Sequence, residues 1–268
     1  MNPVETQAAN PAPEVFVGCA GWTIPAVNRS HPGIPHAGGQ LERYAAVLPA
    51  AEINSSFYRP HMPETYARWA ETTPPHFRFA VKMPREISHF KKLVDAGDVL
   101  TRFVGEVSEL GEKLGCLLLQ MPPLLTFDWR VAEDFFRLAA SATGAKLVCE
   151  PRHPSWFSDD ANELLSAWNI TRVIADPPIS GVEHVAPPKA DLVYLRLHGS
   201  PVIYRSSYND LYLEKLAEWI ALQREVGLKV WCIFDNTASG AAFGNALELM
   251  SLASSQRSRE EPNPQTPR

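Results

Sequence analysis

The chain has 268 residues, enough for one large domain or two small ones, and a single barrel of about 250 residues fits that length. A hydrophobic fraction of 45% and an aromatic fraction of 10% suit a buried core and exclude a disordered chain. The net charge of −5 gives no global basic footprint, so extended nucleic acid is disfavoured as a partner.

Residues 1–13 hold three prolines and read as a loose tail, with no basic or apolar segment of a secretory signal. The folded domain is expected over 14–253, and 254–268 as a second loose tail. Between them, eight apolar runs read as strands: Val15–Ala20, Ala51–Ser55, Phe77–Met83, Cys116–Met121, Lys146–Glu150, Thr171–Asp176, Leu192–His198 and Lys229–Asn236. Helical periodicity falls between them, over Gln40–Leu48, Pro63–Glu71, Asp98–Leu114, Trp129–Ala140, Asp159–Trp168, Asp210–Val226 and Ala241–Ala253. The sixth crossover is the exception, because Pro177, Pro178, Pro187 and Pro188 leave no room for a regular helix. The expected fold is α/β: a single (β/α)8 TIM-like barrel with an irregular sixth crossover.

No run reaches the ~18 apolar residues that would span a bilayer. The cysteines, Cys19, Cys116, Cys149 and Cys232, each lie inside a predicted strand without CxxC spacing. They read as reduced core thiols of a cytoplasmic protein.

A polar or charged residue or an indole stands at or near the end of each of the eight predicted strands. A buried unpaired polar group costs about 1–3 kcal/mol, so eight such endings indicate strand ends that converge on a shared site. Period-two alternation puts Glu52 with Asn54, Glu150 with Arg152, and Tyr194 with Arg196 and His198. Lys82, Gln120, Asp176 and one of Asp235 and Asn236 complete the expected inward set. Glu52, deeper in its strand, reads equally well as a salt-bridge partner. The loops after the strands add Trp22, Tyr58, Arg59, His89, His153, Trp156 and Tyr204, aromatic and cationic groups suited to stacking on or pairing with a ligand.

The ordered segments Gly21-Trp22, Glu52–Arg59, Phe79–Lys82, Ile87–His89, Leu119–Pro123, Glu150–Trp156, Arg196–Gly199 and Phe234–Asn236 resemble the YecE-like family, domain of unknown function 72, over roughly residues 15–252. The resemblance implies a TIM-like barrel loosely related to sugar isomerases, and it delivers no reaction. Its pattern is departed from at loop 26–39, at Ser88 and at Pro151.

Three functions are carried forward. The first is an enzyme acting on a small anionic, sugar-like or phosphorylated ligand, with Lys82, Arg152 and Arg196 neutralising the anion and Glu150, Asp176, His198 or Lys82 moving protons. The second is a metal-dependent isomerase or phosphodiesterase/endonuclease-like hydrolase, its divalent ion on Glu150, Asp176, His198 and Asp235; three nearby cations disfavour it. The third is a non-catalytic module for a metabolite or a nucleic-acid end. No cofactor is predicted, and a divalent metal is left open.

Overall fold

In the computed structural model, residues 15–182 and 191–260 are described. The expected tail at 1–13, residues 261–268 of the second tail, and Pro187 and Pro188 of the sixth crossover lie outside the described residues.

Nine parallel strands form one sheet: β1 Val15–Ala20, β2 Ala50–Ile53, β3 Arg78–Lys82, β4 Leu114–Gln120, β5 Lys146–Glu150, β6 Thr171–Arg172, β7 Ile174–Asp176, β8 Leu192–Leu197 and β9 Lys229–Phe234. Their spatial order is β6-β5-β4-β3-β2-β1-β9-β8-β7. The two ends of this order are neighbours in sequence, so the sheet curls into a nearly closed barrel. The count is nine where the sequence predicts eight. The sixth run, Thr171–Asp176, divides at Val173: its first half pairs with β5 and its second with β8. In a closing barrel this run must use both of its edges. It is too short to do so along its whole length, and each half reaches one neighbour.

Among the described residues, seven helices cover the strands: α1 Gln40–Ala45, α2 Pro63–Thr72, α3 Gly97–Val107, α4 Trp129–Ala142, α5 Asp159–Ala167, α6 Asp210–Glu225 and α7 Ala241–Glu260. The starts of α4, α5 and α6 are set by side chains. Asp128, Ser158 and Asn209 accept from the backbone N–H groups of Val131, Ala161 and Tyr212. Pro63 opens α2, where its missing N–H costs nothing. The expected helix Asp98–Leu114 ends at Val107 and continues as 3-10 turns through Lys113. Gly111, at φ 54°, breaks the helical path there and hands Leu114 to β4.

Strand alternation creates two apolar layers. Outward residues such as Val17, Ile53, Phe79, Leu117 and Cys232 pack beneath the helices. Inward residues form a smaller cluster that includes Phe16, Ala80, Cys116, Leu118, Tyr194 and Trp231. Trp231 stacks on Phe16 at 4.7 Å and on Tyr194 at 5.9 Å between ring centroids, filling the lower barrel. Gly115 makes this fit: a Cβ there would stand 2.3 Å from the Trp231 ring. All four cysteines are free and buried, and burial pushes the Cys19 and Cys149 thiols up to about 12, as inert core groups require. Among the described residues no helix is long and apolar enough to cross a membrane.

Candidate functional site

β8 carries Tyr194 and Arg196, and His198 follows one residue past its end. Their spacing of two brings all three to the inner face, above the apolar plug. Arg196 is fully buried and occupied on every side. Its Nε donates to Glu52 Oε2 at 2.9 Å and its Nη2 to Glu52 Oε1 at 2.6 Å, a two-pronged grip on one carboxylate. Nη1 donates to Glu150 Oε2 at 2.7 Å, and Nη2 reaches Asp235 Oδ2 at 3.1 Å. The Tyr194 hydroxyl adds a bond to Glu52 Oε2 at 3.1 Å. One guanidinium thus ties together the ends of β2, β5 and β9.

His198 bridges the same carboxylates from above. Its Nδ1 lies 3.0 Å from Asp235 Oδ2 and its Nε2 lies 2.8 Å from Glu150 Oε1. Carboxylates accept only, so two such bonds require both ring nitrogens to carry protons. Burial lowers the His198 pKa, but the bonds to Asp235 and Glu150 outweigh it and the net shift is upward. Arg152 Nη2 donates to Glu150 Oε1 at 2.5 Å and also stands 2.8 Å from His198 Nε2. With the imidazolium this Arg152–His198 approach is a contact held by their common acceptor; with the neutral ring, Nε2 accepts from Arg152 while Nδ1–H donates to Asp235. Burial pushes the Glu150 and Asp235 carboxyls up. Arg196 and His198, joined at Glu150 by Arg152, hold both below the ordinary carboxylate range.

Glu52, Glu150 and Asp235 are therefore balanced by Arg196, Arg152 and the His198 imidazolium. Lys82, at the end of β3, is the surplus cation. It is 5% exposed, and its Nζ has no hydrogen-bond or ion-pair partner among the described residues. The ammonium sits 4.2 Å over the Phe57 ring. Burial lowers its pKa and Arg196 lowers it further, outweighing the upward pull of Glu52, Glu150 and Asp235.

The remaining expected residues divide. Asn54 follows β2 with its Oδ1 buried and unpartnered. Gln120 ends β4 in register with Glu150, half-buried. The exposed ring of Tyr204 stands edge-on to His198 at 5.8 Å. His89 bonds Ser88 and packs edge-on to Phe57 at 5.0 Å. Tyr58 and Arg59 are exposed beside a small cavity of about 130 Å³ that Arg85 and Phe90 also line. Trp22 packs edge-on against Trp69 and Phe79.

Several residues do not take the places the sequence suggests. Arg196 presents nothing to an external anion, because its fork is spent on three carboxylates. Asp176 stands apart from Glu150, its Oδ2 accepting from the Tyr208 hydroxyl at 2.7 Å. Trp156 is 1% exposed and donates to the Leu125 carbonyl, so it is core and not a stacking surface. His153 caps the 3-10 turn Pro154–Phe157. Of the pair Asp235 and Asn236, Asp235 faces inward; Asn236 donates to Ser206 and Asn245, fastening the loop after β8 to α7. Tyr208 was not legible as a site residue, since it lies in a loop with no strand alternation to place it. Two cavities, about 540 Å³ at the amino-terminal end of the barrel and about 220 Å³ beneath α4, contain no member of the charged cluster.

Among the described residues, no group of three His, Cys, Asp or Glu side chains is arranged to hold an ion. Glu150, His198 and Asp235 do meet, but a guanidinium occupies the space between their oxygens.

A nearly closed parallel α/β barrel with a charged cluster at the carboxyl ends of its strands defines the class. The chain belongs to the family described as protein of unknown function DUF72, whose model matches residues 16–268. It is 31% identical over 186 residues to the protein YecE of Escherichia coli K12, a match covering 67% of this chain. The match spans 64% of that relative's length. Solved DUF72 structures share the fold. One from Thermotoga maritima superposes with a TM-score of 0.71 at 25% identity, covering 90% of this chain and 99% of its own. One from Enterococcus faecalis gives 0.73 at 19% identity, covering 90% and 95%.

Proposed function

We propose that the protein is an enzyme acting by proton transfer on a small anionic, sugar-like or phosphorylated ligand at the carboxyl-terminal mouth of the barrel. One observation carries this reading: after Arg196 is satisfied, Arg152 and Lys82 remain as cations with unmet donors beside an ionised carboxylate. Arg152 is half-buried and its Nε is buried without a partner. Such a group sits ready for an acceptor that the chain does not supply.

Roles follow from position. Arg152 neutralises the anionic group. Glu150, kept ionised by its cationic neighbours, accepts a proton. His198, charged on both nitrogens, returns one through Nε2–H and is fixed in orientation by Asp235. Arg196, Glu52 and Tyr194 hold these groups in place and do not meet the ligand.

The test is the melting temperature in inorganic phosphate against sodium chloride of equal ionic strength. A ligand at 100 times its Kd stabilises by about 2.7 kcal/mol. Phosphate raises the wild-type melting temperature, and Arg152→Met abolishes most of that rise. Equal shifts in both proteins reject the anion site. Once a turnover assay exists, a near-wild-type rate for Glu150→Gln rejects the proton transfer and leaves a binding module.

A further inference from the structure

Lys82 is the one member of the cluster that the balance of charge does not require. Three carboxylates already face three cations, and a fourth, buried and without an acceptor, is unfavourable in its charged form. The fold nevertheless holds it firmly. Register places Lys82 opposite Leu118 on the inner face of the sheet. Its carbonyl accepts from Ser56 Oγ at 2.6 Å, and the same hydroxyl bonds the Ile53 carbonyl at 3.0 Å. This one donor, shared between two carbonyls, seats the Ser55–Phe57 turn, so that the buried Phe57 ring covers the amine. His89 packs edge-on against the same ring at 5.0 Å. Its imidazole is driven toward the neutral form by burial, by Lys82 and by Arg85. An amine held on a strand end, shielded by an aromatic ring and bonded to nothing, has the setting of a carbonyl-directed nucleophile and not that of a salt-bridge donor.

We propose that Lys82 forms an imine with the aldehyde or ketone group of the ligand. The ligand class is thereby narrowed to carbonyl compounds that also bear an anionic group, which rests on the mouth site proposed above. In the step, the free-amine lone pair of Nζ attacks the carbonyl carbon. A C–N bond forms, and one proton passes from the nitrogen to the former carbonyl oxygen to give a neutral carbinolamine. One further proton from the medium lets that oxygen leave as water, and the C=N bond of a protonated imine remains. Nothing is oxidised or reduced. The depressed pKa supplies the free amine, because each unit by which a lysine pKa falls leaves about tenfold more neutral amine at a given pH below it.

The probe is pyridoxal 5′-phosphate, a phosphorylated aldehyde, added below one equivalent to the full chain, reduced with borohydride and located by peptide mass spectrometry. Borohydride delivers hydride to the C=N bond and makes the adduct permanent. The sequence has seven other lysines, among them the more exposed Lys91 and Lys92. Lys82 should carry most of the adduct, and inorganic phosphate should protect it. Phe57→Ala, which uncovers the amine, should accelerate labelling. Lys82→Arg should lose the adduct.

The two readings fail separately. Labelling of Lys82 by unphosphorylated pyridoxal as readily as by the phosphate ester supports the imine and removes the anion site. Stabilisation by phosphate with labelling confined to surface lysines, in wild type and in Phe57→Ala alike, overturns the imine and leaves the anion site standing.

Discussion

Replacing Arg196 by Met tests the organisation of the whole mouth. Methionine approximates the length of the arginine stem but removes every donor. Four charge-assisted hydrogen bonds are lost, at 2.6, 2.7, 2.9 and 3.1 Å. Glu52 and Glu150 stay buried, with Asp235 beside them, now facing too few cations. Removing one partner from a buried ion pair costs about 3–5 kcal/mol. Because three carboxylates share this partner, the expected loss at pH 7 is about 4 kcal/mol, a large share of a total stability of about 5–15 kcal/mol. For a chain of this size that is a fall of roughly 10 °C in melting temperature. The penalty is electrostatic, so it should narrow as the pH falls toward 5, where Glu150 and Asp235, freed of Arg196, take up protons. The double variant Glu52→Leu/Arg196→Met removes the orphaned charge as well as its partner. It should be about 2 kcal/mol more stable than the sum of the two single losses implies. Urea unfolding of the four proteins at pH 5 and pH 7 measures all of this. A single variant within about 1 kcal/mol of wild type, or strictly additive losses, would refute the cluster as the device that ties β2, β5 and β9 together.

Two further predictions concern the cluster and the plug below it. His198 has a folded-state pKa above its ordinary 6.5, so the folded protein binds that proton more tightly than the unfolded chain. Its contribution is complete below pH 6.5 and is lost as the pH rises through the raised value. Glu150 and Asp235 act oppositely, with stability that is full above their ordinary 4.5 and 3.8 and lost as the pH falls through their lowered values. The stability difference between wild type and His198→Asn should therefore shrink as the pH rises from 6 to 9, and a flat difference contradicts the doubly protonated ring. In the lower barrel, Gly115→Ala drives a methyl group into the Trp231 indole and should cost about 1–3 kcal/mol in urea unfolding. Trp231→Phe in the same background should recover part of it, and an unchanged Gly115→Ala protein would show that the indole is free to move.

Much of this arrangement is written locally. The alternation of apolar runs with helical stretches determines an α/β barrel, because each run can bury both faces only between helices and a barrel interior. Period two puts Glu52, Lys82, Glu150, Arg196 and His198 on that interior from the sequence alone, since a strand residue has only two faces to choose from. Other features depend on how strands are tilted and staggered around the barrel, and that is not a local property. Arg196 and Glu52 are 144 residues apart in sequence, and only closure of the sheet makes them partners. Closure spends Arg196 on carboxylates and leaves Lys82 without one. It sets Asp235 inward instead of Asn236, and it splits Thr171–Asp176 into two strands. Burial of Trp156 and the bond between Asp176 and Tyr208 likewise follow from where loops land on neighbouring elements. Sequence determines the face that each side chain takes; tertiary structure decides its partner, because pairing energies act through space while periodicity acts along the chain.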